Sequence, residues 1–164
     1  MSTLREVYQF RLHQMSEKLE LMKTDILNDY PAKKDTHRHM NPKHPTWLAY
    51  QELKRQASLC LTAIKIMKHS YKGAAFYSGK TPSKAAFRET LRDKRKTFTT
   101  HCPKGDLAKQ NAFIFEAYYD LEQTEKDLKL NPSRFVEAEV YAKQRRLEAS
   151  EAAARKKEAA SATA

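Results

Sequence analysis

Apolar residues near the start of the chain recur at intervals of four and three, at Tyr8, Leu12, Met15, Leu19, Met22 and Ile26. That is the period of a helix laying one seam against another helix. The preceding Thr3-Leu4-Arg5-Glu6 puts a hydroxyl three residues ahead of a glutamate, the form of a capping box, and predicts the helix start there. Pro31 ends it. After a proline-containing stretch without periodicity (residues 31 to 45), a second helix from Pro45-Thr46 repeats the seam at Tyr50, Leu53, Ala57, Cys60, Ile64, Met67 and Tyr71. The two seams predict a coiled-coil-like pairing, as a hairpin within one chain or across a dimer. Leu48, Leu59, Leu61 and Ile66 widen the second face enough to require a third partner.

Gly73 is a helix stop, and two glycines and a proline make residues 72 to 82 a loop. Thr81-Pro82 reads as N-cap and first residue of a third helix running to about Phe98, with Phe87, Leu91 and Phe98 as its buried stripe. Asp106 caps a fourth helix over residues 107 to 130, with Leu107, Ile114, Ala117, Leu121 and Leu128 as its stripe and Phe113, Phe115 and Tyr118 beside it. Asn131-Pro132 starts a fifth, with Phe135, Val136, Val140, Tyr141 and Leu147 as apolar contacts. Residues 148 to 164 have nothing to bury and form a solvent-exposed helical or frayed tail. The expected fold class is all-α, a bundle of about five helices in a single domain over residues 1 to 147. With only 3 glycines and 6 prolines in 164 residues, the chain is poorly supplied for β-hairpins.

Charge changes this picture more than composition does. The net charge is +11, yet residues 1 to 30 and 105 to 164 are each close to neutral. Residues 65 to 104 carry 11 Lys or Arg against only Glu89 and Asp93. A field concentrated in this way points to a polyanionic partner. On the third helix, Lys84, Arg88, Arg92 and Arg95 share one face at spacings of four, four and three. Lys94 and Lys96 stand beside them, Lys80 and Lys72 precede them, and the proline-containing loop adds Lys33, Lys34, Arg38 and Lys43. Such rows bind the repeating phosphates of DNA or RNA through counterion release. Phe76 and Tyr77, in the glycine-bounded loop, are candidates for stacking on unpaired bases, which favours single-stranded DNA or RNA over duplex.

Several other chemistries are weaker. The Gly73 to Thr81 segment ends like a phosphate-binding loop, but it has five residues between its glycines where that motif has four, and Pro82 removes a backbone donor. The turn Phe76-Tyr77-Ser78-Gly79-Lys80 resembles one in phage recombination mediators. Gly79-Lys80-Thr81-Pro82 is equally similar to the DNA-contacting loop of histone-like nucleoid-structuring proteins. With two unrelated families fitting one turn, neither is assigned. His37, His39, His44, His101 and Cys102 would make a zinc site only if their loops met, in a spacing that matches no standard finger. No HExxH or GxSxG motif occurs, and no cofactor or enzymatic activity is expected. The absence of a long apolar run argues against a membrane span, and the two cysteines without a framework fit a cytoplasmic location, or a nuclear one in a eukaryote. The expected function is non-catalytic nucleic-acid binding. The alternative is an oligomeric assembly or adaptor protein, self-associating through the seams of helices one and two and docking an acidic protein.

Overall fold

The computed structural model describes residues 2–28, 43–71 and 79–163. Among them the chain forms six α-helices and one 3₁₀ turn, with no strand: α1 (Leu4–Asn28), α2 (Trp47–His69), α3 (Lys84–Asp93), α4 (Arg95–Thr99), α5 (Leu107–Leu130), the 3₁₀ turn (Pro132–Phe135) and α6 (Val136–Ala162). The expected all-α bundle is present. No described helix is long and apolar enough to cross a membrane.

The capping box closes α1 reciprocally: Glu6 N donates to Thr3 Oγ1 at 3.3 Å and Thr3 N to Glu6 Oε2 at 3.2 Å. α1 and α2 pair within the chain and run antiparallel, since Tyr8 meets Cys60 while Met15 shares a cleft with Gln56. α5 is the third partner that the broad face of α2 requires, and Ile66, Met67, Ile114, Ala117 and Leu121 close the core between them. Asp106 caps α5 through Lys109 N at 2.8 Å. Leu107, expected on its buried stripe, is instead 61% exposed, because at the first position of the helix it lies beyond the end of the core.

Two helices depart from expectation. The third is shorter and broken. Ser83, not Thr81, is the N-cap, accepting from Ala86 N at 3.2 Å. Thr81 instead gives its backbone N–H to Glu125 Oε2 (2.6 Å) and its hydroxyl to the Leu121 carbonyl, while Pro82 O accepts from Tyr118 (2.8 Å). These bonds pin the segment to α5 before any helix begins. A second break at Lys94 (φ −125°, ψ 37°) separates α3 from α4, and both Phe87 and Phe98 are buried. The fifth helix is also divided. Pro132 opens the 3₁₀ turn, and α6 buries Ala138 and Ala142 while Val136 and Val140 are 51% and 58% exposed. Alanines four residues apart let α6 approach closely, and α1 meets it there through Phe10–Tyr141 and an Arg146–Glu6 pair at 3.3 Å.

A polar knot joins α1 to α5. The Tyr8 hydroxyl donates to Asp120 and is bonded to Thr124 Oγ1 (3.2 Å), while Arg11 Nη1 donates to Thr124 (3.1 Å) and pairs with Asp120 at 3.7 Å. Burial, then the Asp120 carboxylate, push the Tyr8 phenol up. Tyr8→Phe removes the donor and keeps the ring, and should cost about 1–2 kcal/mol, read as a lower urea midpoint with an unchanged slope.

Candidate nucleic-acid interface

α3 turns one side to the core and the other to solvent. Phe87 lies on Tyr118 with ring centroids 4.3 Å apart and planes at 10°, and meets Phe115 edge-on at 5.3 Å. With that ring fixed inward, helical spacing sets Lys84, Arg88 and Arg92 in a row on the exposed side. Lys80 is exposed just ahead of it, and Lys94 and Lys96 follow at the break and on α4. All six are exposed.

Arg95 is not part of the row. The break at Lys94 rotates α4 relative to α3, so Arg95 turns inward and donates Nη1 to Asn111 Oδ1 at 2.6 Å. Its Nη2 is buried with no hydrogen-bond partner among the described residues. Arg95 therefore braces α4 against α5, a role that the spacing from Arg92 concealed.

The fold adds cations that the sequence reading left out. Near the end of α2, Lys65 Nζ donates to the Thr97 carbonyl of α4 at 3.3 Å, and Lys68, three residues on, is exposed. His69, against the Phe98 ring at 6.4 Å, reports their field. Its pKa lies below the ordinary 6.5, lowered by burial first and then by Lys94, Lys68 and Lys65. His101 is lowered by burial and by Lys65. The signal available in sequence was the spacing of Lys65 and Lys68, three residues apart on the polar side of the second helix.

Lys33, Lys34, His37, Arg38, His39, Lys72, Phe76 and Tyr77 lie outside the described residues. Lys43 is exposed ahead of α2. For the zinc reading, His44 Nδ1 accepts from Thr46 N at 3.0 Å, and the Cys102 thiol donates to the Phe98 carbonyl at 3.3 Å, with its pKa raised by burial. Among the described residues, no three His, Cys, Asp or Glu side chains are placed to hold a metal ion. The Cys60 thiol, donating to the Tyr8 carbonyl, is pushed up to about 12 by burial and is no nucleophile at neutral pH.

The depressed histidines make stability depend on pH. In the unfolded chain they take up protons near 6.5, and in the folded chain only at lower pH. The unfolded state thus binds more protons between the two values, and stability falls as pH drops from about 6.5 through the folded-state values. The melting temperature should fall between pH 7.5 and 5.5, and His69→Gln should flatten the dependence, by circular dichroism. No protein-family model, curated protein or solved structure matches this chain.

Proposed function

We propose that this protein is a non-catalytic nucleic-acid-binding protein that holds the phosphate backbone on the basic surface of α3, the α3–α4 junction and the end of α2. The observation that carries this reading is the convergence of Lys65, Lys68 and Lys94 around His69, together with the exposed row Lys84, Arg88, Arg92. After burial, the field of these lysines lowers the His69 pKa further below its ordinary value. Against so many cations the same stretch of chain offers only Glu89 and Asp93, the latter 3.7 Å from Arg92. Phosphate contact of this kind positions a strand with little base readout. The natural site of action is cytoplasmic, or nuclear in a eukaryotic cell.

The rival reading, an oligomeric adaptor docking an acidic protein, draws on one observation. Val136, Val140 and Leu147, at intervals of four and seven along α6, are all exposed and would suit a helix from a second copy. Light scattering alongside a nucleic-acid titration separates the two readings.

Anisotropy titration with single-stranded DNA, duplex DNA and RNA of equal length should show binding to a single strand. Affinity should drop about a hundredfold between roughly 50 and 200 mM salt, as expected for about five phosphate contacts. Replacing Lys84, Arg88, Arg92 and Lys94 together by Ala should abolish binding at moderate salt with helicity intact. Arg95→Ala should instead lower the melting temperature. Parent-like affinity in the quadruple variant would exclude the α3 surface as the site.

A further inference from the structure

We propose that Tyr119, with Phe115 behind it, is a base-stacking platform for single-stranded nucleic acid, set on α5 beside the phosphate-binding row of α3. The inference rests on the nucleic-acid reading above and adds to it the part of the strand that is recognised.

Tyr119 exposes 54% of its surface. Its ring is held at the end of an aromatic ladder: 6.1 Å from Tyr118 and 6.4 Å from Phe115, which themselves grip Phe87. An exposed ring backed by a buried Tyr118 and a half-buried Phe115 loses little freedom when a planar ligand covers it. Tyr119 and Lys126, seven residues apart, lie on one side of α5. Lys126 and Glu122 line, together with Lys84 and Tyr118, a cleft of about 380 Å³ where α3 begins. Arg88 continues the Lys84 side of α3 one turn further on. The ring therefore borders the cation row rather than the opposite side of the bundle.

The acids of α5 beside Tyr119 are largely engaged within the fold. Glu116 is held by Arg55 at 2.6 Å, Asp120 by Tyr8 and Arg11, and Glu125 by Thr81 N at 2.6 Å and Lys129 at 3.4 Å. Glu122 shares its cleft with Lys84, Lys126 and Lys129. Phosphates fit the lysines there, and the uncharged ring of Tyr119, one turn earlier on α5, offers a face to a base. The arrangement thus seats bases over Tyr119 while phosphates follow Lys84, Arg88 and Arg92. Duplex bases are already stacked and cannot reach the ring, so the platform selects single strands.

The test is anisotropy titration of the parent, Tyr119→Ala and Tyr119→Phe with a single-stranded oligonucleotide, an abasic strand of equal phosphate number, and a duplex. Thermal melting serves as a fold control. Tyr119→Ala should bind the base-containing strand about tenfold more weakly, with an unchanged salt slope and unchanged affinity for the abasic strand and duplex. Tyr119→Phe should match the parent. Parent-like affinity of Tyr119→Ala for the base-containing strand overturns the platform, as does an equal loss on the abasic strand, while salt-dependent binding by the parent would leave the phosphate surface standing. A parent that binds none of the three ends both proposals.

Discussion

The stack of Phe87 on Tyr118 is the contact on which the charged half of the molecule depends. α3 has 10 residues and α4 only 5, and isolated helices shorter than about 12 residues are marginal in water. With several cations in close succession, mutual repulsion opposes their folding further. What holds them is side-chain anchorage to a bundle that is stable for other reasons: Phe87 and Phe98 are buried to within 1% of complete, and Thr81 and Pro82 are bonded to α5 ahead of the first turn. Each ring fixes the rotation of its own short helix, and the rotation decides which cations reach solvent. This is why Arg92 is exposed while Arg95, three residues further on, is turned inward.

α5 carries the opposite burden. It touches α1 through the Tyr8–Asp120–Thr124–Arg11 knot, α2 through the apolar core and Arg55–Glu116, and the basic segment through Tyr118, Leu121 and Glu125. A buried hydroxyl bonded to a carboxylate has few equivalent positions. Sliding α1 by a turn would leave the buried Tyr8 phenol unpartnered, at about 1–3 kcal/mol. The knot therefore sets register where the seam residues Leu12, Met15, Leu19 and Met22, all half-buried, would tolerate several.

Features with a local cause were legible in the sequence, and those with a tertiary cause were not. The Thr3–Glu6 box and the Asp106 cap depend on neighbours three residues away, and α5 has the bounds its periodicity predicts. Thr81 was misread because its competing partner, Glu125, is 44 residues distant and Ser83 offers the same capping chemistry two positions later. Arg95 has the spacing of a surface cation, and only the backbone break at Lys94 turns it inward. Val136 and Val140 were expected to pack, yet the contact uses Ala138 and Ala142, since small residues permit a closeness that hydrophobicity alone does not signal. Lys65 and Lys68 joined the basic surface only once α2 had been set beside α4. The proposed nucleic-acid binding rests on charge in the sequence and on the exposure of Lys84, Arg88 and Arg92.

The position of that field has a structural reason. Acidic side chains are not scarce near α3: α5 supplies Glu116, Asp120, Glu125 and Asp127 within four turns. Each is engaged elsewhere, by Arg55, by Tyr8 and Arg11, by Thr81 and Lys129, and by Arg134 at 2.8 Å. Hydrogen bonds from Thr81 and Lys129 outweigh the upward push of burial on Glu125 and hold its pKa low, so it stays ionised in that role. The scaffold thus uses these four carboxylates to fix helices, and positive charge remains in excess along α3 and the end of α2. An excess of like charge lowers the stability of the protein that carries it, and a bound polyanion would offset that penalty. The lysines that add to burial in lowering the His69 pKa would, once covered by phosphate, cease to oppose its protonation, so that binding of a polyanion and the charge state of the surface would be linked.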